Sequence, residues 1–178
     1  MVRAHAPAAA VIYDPEEDVD APLAACVAAL EAEGVRVGGL LQRLGVLLTV
    51  LPSRETIRLD DPRGPGVLGC TLDADALTRA AMALRVVARG RVDLLVVSRF
   101  GKEEAAGGGW RAELAEALLG GLPVIIGVRR VLLPAWQDFL GPDAPVLPPD
   151  VPALLAWLRS VGFQAASAPS CAAASIAR

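Results

Sequence analysis

Residues 92–97 form a near-continuous run of branched aliphatic side chains, Val92, Leu94, Leu95, Val96 and Val97, broken only by Asp93. A strand half in water would alternate apolar and polar residues. This run does not, and it reads as a parallel strand covered on both faces. A loop at 98–109 follows, then a helix at 110–119 ended by Gly120-Gly121, then a second apolar run at 122–128. A strand, loop, helix and strand in that order is the clearest unit of the chain, and it requires helices on both faces of the sheet.

The flanking sequence extends the same pattern. Residues 8–13 are a short apolar run, followed by an acidic loop and by Leu23, Cys26, Val27 and Leu30 at helical spacing up to Gly34. Residues 35–42 predict a strand, and 46–51 with 56–59 flank Pro52-Ser53-Arg54-Glu55 as a hairpin. Residues 60–69 are rich in turn formers. Asp73 is placed to cap a helix carrying Leu77, Ala80, Ala81, Leu84 and Val87, with Gly90 at its end. Residues 133–140 predict a short helix bearing Trp136 and Phe139, which at that spacing share one face and staple it to the sheet. Asp150 heads a last helix at 151–161, with Pro152 in its first turn. The expected fold is a three-layer αβα sandwich with a mainly parallel sheet and a β-hairpin insertion. Residues 1–163 are one domain, and the Ala/Ser-rich 164–178 are expected to be a disordered tail.

Composition excludes several functions. The apolar stretches are interrupted by charge, Gly or Pro before reaching the ~18 residues of a helical membrane span, and residues 1–10 hold no leader-like apolar core. A cytoplasmic protein without membrane insertion is expected. Seventeen basic and 20 acidic side chains give a net charge of −3, with no basic stripe to suggest a nucleic-acid partner. Cys26, Cys70 and Cys171 show neither disulfide nor zinc spacing, and a thiol role for Cys70 has no histidine to activate it, since His5 is the single histidine. Lys102 is the one lysine among the 17 basic residues.

The loop after the central strand reads Arg99-Phe100-Gly101-Lys102-Glu103-Glu104-Ala105-Ala106-Gly107-Gly108-Gly109-Trp110-Arg111, or F-G-K-x-E-x-x-G-x-G-x-R. With Cys70-x-Leu72-Asp73 before it, and Gly121-x-Pro123-Val124 and Trp136-x-x-Phe139 after it, residues 8–160 resemble an uncharacterised bacterial domain-of-unknown-function family. Some members of that family are associated with molybdate-transport genes. The family in turn resembles the P-loop nucleoside-triphosphatases of the thermophilic nucleotide-phosphatase type, where a strand ending in Asp-Glu precedes Ile-Gly-Lys-x-Glu. Here the strand and Gly-Lys-x-Glu stand, with Ser98-Arg99 in place of the acidic pair that would hold magnesium and position water.

The first loop departs further from that type. A P-loop, G-x-x-x-x-G-K-[ST], cradles phosphates on unhindered N–H groups and a lysine. Residues 13–20 instead read Tyr-Asp-Pro-Glu-Glu-Asp-Val-Asp, with five carboxylates and neither Gly nor Lys. At an effective dielectric of ~20, a carboxylate ~6 Å from a phosphate charge costs about 3 kcal/mol before screening. Asp14, Asp18 and Asp20 are weak metal candidates, because the loop lacks the glycine and bidentate Glu of an EF-hand and reads better as a solvated loop whose Asp18 or Asp20 caps the next helix. Lying at the same sheet edge, the acidic loop is expected to neutralise the basic one.

The candidate anion- or nucleotide-binding residues are Arg99, Gly101, Lys102, Glu104, Gly107, Gly109 and Arg111. The glycine turn offers N–H groups and a positive helix end, and the cations lie close in sequence. A flexible loop whose cations pair internally is the competing reading. The functional expectation is a non-hydrolysing accessory or regulatory protein of P-loop type, without a cofactor, with a molybdenum link implied by the resemblance. The alternatives are a magnesium-dependent nucleotide or phosphate-ester hydrolase using the same loop, and an interaction module that forms homo-oligomers.

Overall fold

A computed structural model describes residues 6–43, 46–60 and 73–163. In chain order the elements are β1 (Ala8–Tyr13), α1 (Asp20–Ala32), β2 (Val37–Arg43), β3 (Leu47–Leu51), β4 (Thr56–Arg58), α2 (Ala74–Ala88), β5 (Leu94–Phe100), α3 (Lys102–Ala105), α4 (Arg111–Leu119), β6 (Val124–Arg129), a 3-10 turn (Arg130–Leu132), α5 (Leu133–Leu140), β7 (Val146–Leu147) and α6 (Val151–Ser160). The seven strands make one sheet in the order β4-β3-β2-β5-β6-β1-β7. Pairings from β2 through β7 are parallel, and the β3–β4 hairpin is an antiparallel extension on β2. The mainly parallel αβα sheet with a hairpin is the architecture expected from sequence.

Uninterrupted apolar strands arise because both faces of the sheet are dry. Ala8, Ala10 and Ile12 of β1, with Leu95 and Val97 of β5, pack with Leu84, Leu114 and Trp136 from α2, α4 and α5. Their neighbours Ala9, Val11, Leu94 and Val96 turn to the opposite face and meet Leu23, Leu30, Leu154 and Trp157 from α1 and α6. Each fully buried aliphatic side chain contributes about 1.5–3 kcal/mol relative to exposure, so two cores of this kind hold the sheet between its helices. On the first face Phe100, Trp136 and Phe139 form one aromatic group, with centroids 5.4 Å apart for Phe100–Trp136 and 5.9 Å for Trp136–Phe139. Trp136 and Phe139 therefore staple α5 to the sheet.

The caps follow the sequence. Asp73 accepts a hydrogen bond from the Asp75 N–H at 2.9 Å, and Asp150 from the Ala153 N–H at 3.1 Å. At the head of α1, Asp18 Oδ1 accepts from the N–H groups of Asp20 and Ala21, so Asp18 rather than Asp20 is the capping carboxylate.

Several boundaries differ from expectation. The central strand begins two residues later and runs on to Phe100, three residues into the predicted loop. Its start is displaced because Asp93 is drawn out of the strand by Arg36, which donates from its backbone N–H and from Nε and Nη2. That pairing holds the Asp93 carboxyl below its usual range, chiefly through the side-chain hydrogen bonds. Residues 102–105, also read as loop, form the single turn α3. Cys26 is buried in the α1 core, and its thiol is pushed up to about 11 by desolvation. Among the described residues no helix is long and apolar enough to cross a membrane. His5, the turn-rich residues 61–69, Cys70, Leu72, Cys171 and the 164–178 tail lie outside the described residues.

Candidate functional site

The parallel strands β1, β2, β5 and β6 end at one edge of the sheet, where α/β proteins bind ligands. At that edge β5 carries an irregularity. Val97 pairs with Ile126 and Phe100 with Val128, so Ser98 and Arg99 together oppose the single residue Gly127. A bulge of this kind re-aims the side chains it contains. Gly127 is required opposite it, because a Cβ there would run into the Ser98 carbonyl oxygen. Ser98 is buried, and its Oγ accepts from the Gln42 N–H at 2.6 Å, closing the end of β2. Arg99 turns toward the first loop. Its Nη2 lies 2.8 Å from Asp20 Oδ2, its Nη1 3.5 Å from the Tyr13 hydroxyl, and its guanidinium carbon 5.8 Å from the Tyr13 ring centroid.

The loop after β5 is organised around Glu104, which is only 4% exposed. One carboxylate oxygen accepts from the Gly101 N–H at 2.7 Å and the other from the Trp110 N–H at 3.2 Å, tying both ends of the loop to one side chain. Burial pushes this carboxyl above its ordinary value, against the lowering effect of those two N–H donors, and Glu103 adds to the rise. Gly109 has φ +56°, and any Cβ on it would overlap Glu104 Oε1. Arg111 donates from Nη1 to the Glu104 carbonyl at 3.0 Å and stacks 4.5 Å from the Phe139 ring centroid. Trp110 Nε1 donates to the Arg99 carbonyl at 3.2 Å. The Glu, Gly and Arg of the motif are thus contacts that shape the loop.

For Gly107 and Gly108 this corrects the expectation of free donors in the glycine turn. The Gly107 N–H is taken by the Glu104 carbonyl, the Gly108 N–H by the Glu103 carbonyl and the Trp110 N–H by the Glu104 carboxylate. The turn folds back on α3, whose Glu103 and Glu104 carbonyls take two of its amides, while the Gly109 N–H has no such acceptor among the described residues.

The first loop is equally self-satisfied. The Asp14 N–H donates to Glu17 Oε2 at 2.7 Å, and Asp18 holds the amides at the start of α1. Asp14 receives Arg130 Nε at 2.9 Å, and Asp20 receives Arg99. Asp14, Asp18 and Asp20 therefore go to three separate partners, and among the described residues no group of three His, Cys, Asp or Glu converges as a metal site. The expected neutralisation between the acidic and basic loops is present in the Asp20–Arg99 pair, while Asp14 is taken by Arg130 of the 3-10 turn after β6.

Between the two loops and α2 lies a cleft of about 390 Å³, within the range of small-molecule sites. Arg99, Gly101, Lys102, Glu104 and Gly109 line it, together with Arg129, Glu103, Tyr13 and Gln42. Lys102 and Arg129 are exposed and form no ion pair among the described residues. Gly107 and Arg111 of the predicted set are not part of the lining. Sequence reasoning places the loop 129–132 at the ligand edge, directly after the apolar run at 122–128, but does not single out Arg129 within it. The apolar wall, Leu59, Leu77, Trp110, Val131 and Leu132, comes from four separate parts of the chain and carries no local signature.

Comparison with known proteins agrees with this architecture. A relative, the molybdenum import ATP-binding protein ModC 2 of Bradyrhizobium diazoefficiens, is 35% identical over 160 residues, which take in 85% of this chain and 18% of that protein. The chain thus spans less than a fifth of the relative's length. The solution structure of a human cancer-related nucleoside triphosphatase superposes with a TM-score of 0.62 at 15% identity, covering 88% of this chain and 98% of the other. At that identity the likeness shows the fold alone, a P-loop NTPase-like α/β sheet. The family model for the protein of unknown function DUF2478 matches residues 8–157, from the first strand into the last helix, and the chain belongs to that family.

Proposed function

We propose that this chain is a non-hydrolysing, P-loop NTPase-like accessory or regulatory protein that binds a small anion or nucleotide fragment in the cleft at the carboxyl ends of β2, β5 and β6. The observation that carries the reading is the division of charge at this edge. Asp14 and Asp20 are engaged by Arg130 and Arg99, while Lys102 and Arg129 face the cleft without an ion-pair partner among the described residues. Two unpaired cations against one exposed lining carboxylate, Glu103, beside a concave, largely apolar surface leave a net positive field that the apolar walls focus into the cleft, which favours an anionic ligand.

The absence of hydrolysis is supported by two features. Ser98 and Arg99 stand where the resemblance puts an acidic pair, and both are committed, Ser98 to the Gln42 amide and Arg99 to Asp20. The amides at the start of α1, the usual phosphate donors of a P-loop, are taken by Asp18. The name of the ModC 2 relative supports a molybdenum-linked setting, and makes molybdate one of the anions to test.

The test is thermal unfolding of wild type and Lys102→Ala with phosphate, molybdate, tungstate, ADP and ATP, each with and without magnesium. A ligand at a hundred times its dissociation constant adds about 2.7 kcal/mol, a midpoint rise of several degrees. The reading expects at least one anion to stabilise wild type and to lose most of that effect in Lys102→Ala. No shift with any of them, at concentrations high enough for a weak anion to register, overturns the site, and magnesium-dependent phosphate release lost in Lys102→Ala replaces the reading with a hydrolase.

A further inference from the structure

The cleft has two unlike walls. One is basic, with Arg99, Lys102 and Arg129, and the other is aliphatic and aromatic, with Leu59, Leu77, Trp110, Val131 and Leu132. Val131 is the most telling of these. It is 79% exposed, more than any other large hydrophobic side chain described, and it stands on the 3-10 turn directly after Arg129 and Arg130. Leaving an isopropyl group in water at the lip of a cleft, two residues from an unpaired guanidinium, forgoes burial that a ligand can supply. Leu77 and Leu132 are likewise only half-buried where they line the cleft.

Size points the same way. A bare tetrahedral oxyanion bound to Lys102 and Arg129 would fill a small part of about 390 Å³ and leave the apolar wall wet. Sites for inorganic oxyanions gain their selectivity from a shell of N–H and O–H donors. Most donors of this glycine loop, the N–H groups of Gly101, Gly107, Gly108 and Trp110, are spent on Glu104 and on the carbonyls of Glu103 and Glu104. The remaining recognition is the Gly109 amide and the charge of exposed cations on one side and apolar contact on the other. Glu103 and Glu104 also line the cleft, which lowers the net positive charge and disfavours a multiply charged polyphosphate relative to a singly esterified anion.

We infer that the ligand is an organic anion, a phosphate monoester carrying a flat apolar body, whose charged group meets Lys102 and Arg129 and whose body covers Val131, Leu132 and Leu77. This deepens the anion-site reading and rests on it. An inorganic oxyanion such as phosphate or molybdate is then a weak ligand of the same cations.

The experiment compares inorganic phosphate, methyl phosphate and phenyl phosphate by titration calorimetry and thermal shift, on wild type, Lys102→Ala and Val131→Ser. Val131 is exposed enough for the serine variant to fold normally, which its unliganded unfolding midpoint verifies. Burying a phenyl ring should make phenyl phosphate bind about tenfold or more tightly than methyl phosphate in wild type. Val131→Ser should shrink that preference several-fold while leaving methyl phosphate unchanged, and Lys102→Ala should weaken all three. Equal, Lys102-dependent affinity for the three anions overturns the apolar-body inference and leaves the anion site standing. Binding of none of them overturns both, and a phenyl preference untouched by Val131→Ser places the ring elsewhere and refutes the assignment.

Discussion

Replacing Glu104 by Gln tests the claim that one buried carboxylate holds the loop before α4 in shape. The native side chain accepts two backbone hydrogen bonds, from Gly101 and from Trp110, one on each oxygen. A glutamine keeps the volume but turns one of those oxygens into an NH2 group facing an N–H donor. One buried amide then loses its acceptor, at a cost of about 1–3 kcal/mol. For a chain of 178 residues, at about 2–4 °C per kcal/mol, the midpoint should fall by roughly 2–12 °C. The same variant has a pH signature. Because burial raises the Glu104 carboxyl, the folded state holds its proton to higher pH than the unfolded chain. Its contribution is therefore most favourable below the unfolded value, and it is lost as pH rises through the raised one. Denaturant unfolding of wild type against pH should show this downward component, and Glu104→Gln should lack it. The matched control is Lys102→Ala, an exposed and unpaired side chain, which should stay within about 0.5 kcal/mol of wild type. If Glu104→Gln unfolds with the wild-type midpoint and the wild-type pH dependence, the carboxylate does not organise the loop.

Three further outcomes follow from the same contacts. Gly127→Ala sets a methyl group against the Ser98 carbonyl at the β5 bulge and should destabilise by about 1–3 kcal/mol in a denaturant titration; a neutral result would mean that β6 moves freely there. Asp93→Asn should reduce the acid sensitivity of the fold. Arg36 depresses the Asp93 carboxyl, so that stability is present above the unfolded value near pH ~4 and lost as pH falls through the depressed one; unchanged acid unfolding in the variant would exclude this pair as a contributor. A double-mutant cycle on Arg99→Ala and Asp20→Asn should give a coupling of about 0.5–3 kcal/mol, since both groups are largely shielded and directly bonded, whereas a coupling of zero would dissolve the link between the first loop and β5.

The sequence alone determined the order and kind of the larger elements, though not the short α3, the 3-10 turn or the edge strand β7, because burial on both faces leaves a signature readable residue by residue. The apolar runs at 8–13 and 122–128, the hairpin around Pro52, the capping Asp73 and Asp150, and the Trp136/Phe139 staple all rest on local spacing. The motif at 99–111, with the short motifs before and after it, likewise pointed to the family, since the residues of each lie together in the chain. What each motif residue does depended on partners distant in sequence. Arg99 is committed to Asp20, 79 residues away, and Arg130 to Asp14, 116 away. Even the nearer choices, Glu104 toward the Gly101 and Trp110 amides and Arg111 toward Phe139, turn on a bulge and a positive φ that residue types do not announce. The cleft is the extreme case, because its basic and apolar walls come from strand ends, α2 and a 3-10 turn that only the folded sheet brings to one edge. Periodicity records which face of an element is dry, while charge pairing and cavity shape depend on three-dimensional distance, and that is set by the tertiary structure alone.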